Sequence, residues 1–346
     1  YNLTGYFNIP KILELTLNNG VDPHSGNKIG LKTDDPTLFS SFDELYTAFE
    51  KQMQHFIDIK IRGNNIIERL YADFMPAPFL SLLIDDCITK GKDYHDGGAR
   101  YDTSYIQGVG LGSITDSLTS IKHHVFDNKR VDMKELLNVL QKNFDGHERE
   151  RLLFLNKTPK FGNDDDYADD IMKRVFESYF KAIDGRPNTR GGRYCINLLP
   201  TTCHVYFGSV IGALPDGRRA GAPLSEGISP VQGADRHGPT AVVKSVAKMD
   251  HLRTGGTLLN QKFTPQLFST EKGLQNMVQL IRTHFSLDSH HIQFNVVDVE
   301  TLKKAKADPE NHRDLIVRVA GYSDYFCDLS EALQEEIIGR TEHQAV

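Results

Sequence analysis

The chain has no tryptophan and only four cysteines in 346 residues. Cys87, Cys195, Cys203 and Cys327 stand far apart. Without a C-x-x-C pair, a zinc ribbon and a thioredoxin-like redox motif are excluded. Four cysteines are also too sparse for a disulfide scaffold, so the expectation is of reduced, mostly buried thiols in a cytoplasmic protein. Long apolar runs are missing too. Phe79–Ile84 falls far short of the ~20 residues a bilayer-spanning helix needs. Positive charge is not in excess: 40 Lys and Arg against 46 Asp and Glu leave a net charge of −6. Nucleic-acid binding, which calls for a basic stripe, is therefore not expected. No signal peptide opens the sequence. The 14 histidines are scattered. The adjacent pairs His123-His124 and His290-His291 cannot share one face of a helix or strand. No H-E-x-x-H is present, so a metal site is not expected.

What is there is enough to fold. Hydrophobic residues make up 39% and charged residues 25%, a composition that buries a core. The length suggests about two domains or one large one. Ile9–Asn18 reads as a helix with Pro10 in its first turn. Ser41 precedes a long helical pattern, with Asp43 and Glu44 at its start and Leu45, Phe49, Met53 and Ile57 at helical spacing. A short helix follows at Phe79–Lys90. Residues 91–112 read as an irregular, glycine-rich stretch. Helices are predicted at Ser113–Phe126, Met133–Phe144, Glu148–Leu155, Tyr167–Ile183, Leu267–Phe285 and Val299–Ala307. A last one, Leu329–Ile338, carries a capping-box-like Asp328 and Glu331. β-leaning runs fall at Tyr194–Leu199, Thr240–Ala247, Gly256–Phe263, Ile292–Val297 and Leu315–Ala320. Strands alternating with helices argue for an α/β architecture.

Four local patterns hold chemically suggestive residues. Gly108-Val109-Gly110-Leu111-Gly112 opens a helix, but it misses the G-x-G-x-x-G spacing and no clean strand precedes it. A tight loop-to-helix entry is the expected use. Asn163–Asp166 with Asp169 and Asp170 is an acidic run without the glycine and glutamate positions of an EF-hand. It reads as a helix N-terminus favoured by the helix dipole. The loop Pro215–Pro223 carries Arg218 and Arg219 and is a turn by default, with an anion or substrate contact as the alternative. Near the C-terminus, Arg318-Val319-Ala320-Gly321-Tyr322-Ser323 ends a β-leaning run. Taken alone, Gly321 is a turn glycine at positive φ.

Arg318–Ser323, followed by Phe326, also resembles the radical-bearing loop of the glycyl radical enzymes, the pyruvate formate-lyase-like family. Further segments in family order resemble it as well. They are Gly97-Gly98-Ala99-Arg100-Tyr101 with Gly108-Val109-Gly110, Gly162–Asp165 before Tyr167, Asp216-Gly217-Arg218, Asn260-Gln261-Lys262-Phe263, Gln293-Phe294-Asn295 and Ile338–His343. The resemblance implies a ten-stranded α/β barrel of two five-stranded halves wrapped by helices. This chain would supply the C-terminal half, with residues 1–215 in the barrel domain and 216–346 as the glycine radical domain. It implies a buried radical stored at Gly321, where glycine lets the centre flatten without a clashing Cβ. A radical-SAM iron–sulfur activase would install it, with no cofactor or metal bound to the chain itself. The stored radical would oxidise a cysteine to a thiyl that abstracts a substrate hydrogen.

The family's thiyl cysteine sits in a Gly-Cys-Val-Glu-type segment, and none of the four cysteines lies in that context. In relatives, the segment continuing as Thr4-Gly5-Tyr6-Phe7-Asn8 follows that cysteine closely. With Tyr1 rather than methionine at the start, the expectation is of the C-terminal part of a longer enzyme, inactive alone. The missing N-terminal part, the activase and a second copy in a homodimer are the expected partners. The pattern is most similar to members that dehydrate trans-4-hydroxy-L-proline. There, Tyr6 would pack on the pyrrolidine ring and Thr201 would make a polar substrate contact. By their own residue types these two read equally as a core aromatic and a strand-end hydroxyl. Alternatives within the family are diol or glycerol dehydratase, C–N lyase and formate acetyltransferase. A non-catalytic replacement radical subunit is the alternative outside catalysis.

Overall fold

A computed structural model describes residues 2–344. β1 (Asn2–Asn8), β2 (Thr103–Val109) and β3 (Arg193–Asn197) form a parallel sheet in that order. β4 (Leu258–Phe263) pairs in parallel with β5 (His291–Val296). One parallel bridge, Leu198 to Thr257, joins the end of β3 to the residue before β4. Five parallel strands thus run in the order β1-β2-β3-β4-β5. A short antiparallel hairpin, β6 (Ile316–Arg318) and β7 (Ser323–Tyr325), follows. β8 (Glu342–His343) then pairs in parallel with the end of β4. Parallel strands need crossover connections, and helices supply them.

Helix ends follow their caps. Asn8 accepts from Lys11 N–H at 3.2 Å and starts α1 (Ile9–Leu17). Ser41 accepts from Glu44 N–H at 3.3 Å and starts α2 (Phe42–Phe74), with both acids in the first turn as the helix dipole favours. Leu45, Phe49, Met53, Ile57 and Ile61 on α2 face the core. α3 (Pro78–Leu83) and α4 (Cys87–Lys90) are separated at Asp86, whose φ is +77°. The single helix expected over Phe79–Lys90 is therefore two. α5 (Leu111–Ile121), α6 (Met133–Gln141), α7 (Glu148–Asn156), α8 (Asp166–Ile183) and α9 (Cys203–Ser209) follow. The chain then adds α10 (Pro239–Val246), α11 (Glu271–Ser286), α12 (Val299–Ala307) and α13 (Glu331–Gly339).

Every residue of α5 is buried. Leu111, Ile114, Leu118 and Ile121 join Phe7, Ile9, Leu13, Phe49, Tyr179 and Tyr194 in the main apolar core. A smaller cluster, which includes Val297, Leu302, Val317, Val319, Phe326, Leu333 and Ile337, lies between the hairpin, α12 and α13. One apolar face is uncovered: Ile66, Leu70, Phe74, Phe79, Leu82 and Leu83 are all exposed, Phe74 at 76% and Phe79 at 75%. Among the described residues, no helix is long and apolar enough to cross a membrane.

Four further expectations need correction. Residues 240–247 form α10, not a strand: Gly238 and Pro239 set a helix start, and packing on α11 overrides the β-branched Val242 and Val243. A strand does precede the Gly108–Gly112 run, because β2 reaches Val109. In α13 the cap position falls to Ser330, while Asp328 ends a 3-10 turn and makes no cap. The cysteines are free, but only Cys87 is buried and the other three are half-buried.

Candidate active site

Adjacent parallel strands place Asn260 beside Gln293 and Lys262 beside Asn295. Side chains two apart share a strand face, so these four polar groups form one patch, and all are buried. The patch and α13 hold the loop that carries Gly321. The Asn295 side-chain amide grips the main chain of Arg318 on both sides: its Nδ2 donates to Arg318 O at 2.7 Å, and its Oδ1 accepts from Arg318 N–H at 2.7 Å. Arg340 Nη2 donates to Val319 O at 2.9 Å. Gln293 Oε1 accepts from Gly321 N–H at 3.1 Å and from Arg318 Nη2 at 3.0 Å. Lys262 Nζ donates to Ile338 O at 2.9 Å at the C-terminal end of α13. Burial pulls its ammonium down to about 8.

Arg340 also forms a two-point pair with Glu336, Nε to Oε1 at 3.1 Å and Nη2 to Oε2 at 2.8 Å. Burial pushes the Glu336 carboxyl up, but Arg340 and His204 outweigh it and hold it well below the usual carboxylate range. Gly321 itself has φ +83°. That is the left-handed region only glycine enters freely, and a Cβ built there would meet nothing within 4 Å. Gly321 is exposed in this chain. The burial expected around it is not supplied by the described residues.

Tyr6 lies on β1, and Thr201 lies just before α9. Their hydroxyls are 3.3 Å apart, and both side chains are half-buried. Thr201 has φ +53°, an outlier for a β-branched residue of the kind that gathers at functional sites. Thr201 Oγ1 donates to Pro200 O at 2.7 Å. The Cys203 thiol is hydrogen-bonded to both Tyr6 and Thr201, and burial raises it above the ordinary thiol range. The Tyr6–Thr201 pair and the Gly321 loop are linked through α9. His204 Nε2 lies 3.5 Å from Glu336 Oε2, and Glu336 holds Arg340. Cavities of 480–620 Å³ line residues 32–51, residues 130–157 and the surface around Glu14 and Gly221; none of the three includes Tyr6, Thr201 or Gly321.

The other sequence patterns resolve as structure. Lys248 Nζ pairs with Asp164, Asp166 and Asp169 at 2.7–3.1 Å, and Asp165 caps α8 through Tyr167 N–H at 3.0 Å. The acidic run is a helix start held by Lys248, with Lys244 on Asp164 and Lys173 on Asp170. Arg218 is buried and donates to the carbonyls of Gly208 at 2.6 Å and Gly212 at 2.7 Å, and also to Ala222. It staples its own loop, while Arg219 pairs with Asp145 and Glu148 at 3.0 Å. A Cβ at Gly112 would meet Ser229 O at 2.7 Å, so that glycine serves close helix packing. Among the described residues no group of three His, Cys, Asp or Glu side chains is placed to hold a metal ion.

Comparison with known proteins decides the family. The model for pyruvate formate lyase-like proteins matches residues 1–208, and the glycine radical model matches residues 224–327. The chain belongs to the glycyl radical enzymes. It is 60% identical over 342 residues to a trans-4-hydroxy-L-proline dehydratase of Clostridioides difficile, covering 99% of this chain and 43% of that protein. The crystal structure of hydroxyproline dehydratase from Clostridioides difficile, with substrate trans-4-hydroxy-L-proline bound, matches with TM-score 0.98 and 59% identity over 99% of this chain and 44% of that one. A B12-independent glycerol dehydratase from Clostridium butyricum matches with TM-score 0.94 and 43% identity over 98% of this chain and 43% of that one. The chain thus spans well under half the length of these relatives. Its parallel strands and surrounding helices are part of the glycyl radical enzyme barrel, as the resemblance implied.

Sequence reading named Asn260, Gln293, Asn295 and Arg340 as parts of glycyl radical enzyme motifs but gave them no task, and it named Cys203 without giving it a place beside Tyr6 and Thr201. A signal was present. Gln293-x-Asn295 puts polar side chains on alternate positions of a strand whose neighbours Ile292, Phe294 and Val296 are apolar, which marks a polar strand face; in β4, Gln261 between Asn260 and Lys262 blurs the same pattern.

Proposed function

We propose that this chain is the radical-storing part of a dehydratase that removes water from trans-4-hydroxy-L-proline to give a pyrroline-5-carboxylate. The observation that carries this reading is the 59–60% identity over 99% of the chain to hydroxyproline dehydratase. The glycerol dehydratase match, at 43%, is well below it. Gly321 stores the radical. Its amide nitrogen and flanking carbonyl share the unpaired electron, and its open Cα lets the centre flatten. A thiyl radical, formed on a cysteine outside residues 1–346, takes the hydrogen next to the ring nitrogen. The 4-hydroxyl then leaves as water with a proton from a general acid, and the hydrogen returns from the cysteine. Tyr6 lays its ring against the pyrrolidine, where an aromatic face suits a cationic ammonium, and the Thr201 hydroxyl meets a polar substrate group.

The same proposal includes a radical-SAM iron–sulfur activase, a homodimer, a cytoplasmic setting and an N-terminal part of the same enzyme. The uncovered apolar face on α2 and α3 and the exposure of Gly321 support that last element. Matches ending at 208 and resuming at 224 support a division of residues 1–215 from 216–346.

The test is anaerobic activation of the complete enzyme. A glycyl EPR doublet and pyrroline-5-carboxylate from trans-4-hydroxy-L-proline are expected. Gly321→Ala should abolish both while costing only about 1–2 kcal/mol of stability for the left-handed backbone. A doublet without pyrroline product would overturn the substrate, and a doublet that persists in Gly321→Ala would overturn the radical site. Air exposure of the activated enzyme should cut the backbone at Gly321, read by mass spectrometry.

A further inference from the structure

Beneath the Gly321 loop runs a chain of buried amides that ends in a carboxylate. Gln293 Nε2 donates to Asn260 Oδ1, and Asn260 Nδ2 donates to Glu226 Oε2. Glu226, Asn260 and Gln293 are 2%, 8% and 4% exposed. Asn260 is further fixed by its main-chain N–H, which donates to Ser229 Oγ at 3.0 Å.

The two ends of this chain allow only one orientation. At the loop end, both groups that meet Gln293 are donors: the Gly321 N–H and the Arg318 guanidinium, which has no acceptor. The Gln293 oxygen must therefore face the loop, and its NH2 must face Asn260. Asn260 must answer with its oxygen, which turns its own NH2 toward Glu226, where a carboxyl oxygen accepts. Reversing either amide would set donor against donor at one end and leave buried groups unpaired. The polarity of the whole relay is thus set by Arg318 at one end and Glu226 at the other.

We infer that the Glu226–Asn260–Gln293 relay is a positioning device that fixes the peptide plane of Gly321 by holding its N–H on the Gln293 oxygen. This rests on the reading of Gly321 as the radical site. Spin at the glycine Cα is stabilised when the amide nitrogen donates into the half-filled orbital. That requires the peptide plane and the flattened Cα to stay coplanar. An acceptor on the N–H holds the plane and strengthens the nitrogen's donation. Asn295 and Arg340 hold the main chain at Arg318 and Val319, but at Gly321 itself the surroundings are open and Gln293 supplies the bond to its N–H. Gln293, Asn260 and Glu226 are positioning residues: they act on the radical-bearing backbone and need not touch substrate.

The test uses the complete enzyme, with two readouts. Site-resolved hydrogen exchange follows the Gly321 amide before activation, and EPR follows the doublet after it. Gln293→Met keeps the length but offers no acceptor of comparable strength. The Gly321 amide should then exchange about five- to tenfold faster, the worth of one hydrogen bond. The α-proton doublet splitting and radical yield should also change. Gln293→Glu keeps an acceptor for both loop donors but loses the donor to Asn260, and should restore the protection in part. Asn260→Ser breaks the relay two links from the loop and should move both readouts in the same direction, but less. If Gln293→Met fails to fold, Asn260→Ser decides. Unchanged exchange at Gly321 and unchanged splitting in the folded variants overturn the relay. A wild-type enzyme with no doublet, but with faster Gly321 exchange in Gln293→Met, overturns the radical site while upholding the amide clamp.

Discussion

The two ends of the five-strand array hold their key residues by different physics. Around β1-β2-β3, Tyr6 is placed by packing: its neighbour Phe7 is buried and stacks on Tyr179 with ring centroids 5.9 Å apart, and α1 and α8 pack on the fully buried α5. Around the hairpin that follows β5, apolar support is a small cluster, and the Gly321 loop is held by directed bonds from Asn295, Gln293 and Arg340 to its main chain. Packing tells a side chain where to be. It cannot tell a peptide plane which way to face, and hydrogen bonds to main-chain atoms can. A site that stores its reactive centre in the backbone calls for the second kind of support.

The contrast can be broken at its strongest point first. Arg340→Leu leaves the Glu336 carboxylate buried without its partner, which should cost about 3–5 kcal/mol. Denaturant unfolding measures the loss, and amide exchange should rise most at residues 318–321. Exchange that rises evenly over the chain would erase the distinction between the two ends. Leu118→Ala, in the centre of α5, should cost about 2–5 kcal/mol through the cavity it leaves. Global stability should fall while the native-state protection of the Gly321 amide relative to its neighbours stays unchanged.

The smallest effect is a slope. Burial pushes the Asp116 carboxyl up to about 7, with Lys160 opposing. Between about pH 4 and 7 the folded chain therefore binds more protons than the unfolded one, and this group's contribution to stability falls as pH rises. Asp116→Asn should flatten that part of the pH–stability curve, measured by thermal unfolding across the window. An equal slope in both proteins would remove Asp116 from the account.

How much of this was legible beforehand divides along the same line. Helices α1, α2 and α8 were readable from Pro10 in a first turn, from Ser41 with Asp43 and Glu44 ahead of apolar residues at helical spacing, and from the acidic run at Asn163–Asp166. Strands β4 and β5 were readable from continuous β-leaning runs. β1 was not read, and β2 was lost among glycines at 97–112, because the glycines that let helices pack close against it also break the propensity signal. α10 was misread because Val242, Val243 and Val246 favour strands in isolation. Gly321, Tyr6 and Thr201 came from family motifs rather than from periodicity. The left-handed Thr201 has no signature in a Pro-Thr-Thr-Cys run, since backbone strain is set by what surrounds it. The pairing of Asn260 with Gln293 needed the register between two strands, which sequence spacing does not contain.

The hold of Arg340 on the main chain of Val319 has a consequence for timing. During synthesis the strands that carry Asn260 and Gln293 leave the ribosome before the hairpin does, and the helix ending in Arg340 leaves after it. Domains emerging in this order fold from the N-terminal side. The loop therefore waits, half-fastened, for the segment that carries Arg340 to arrive and close it. Gly321 therefore takes its final shape only after the segment that restrains Val319 has been made.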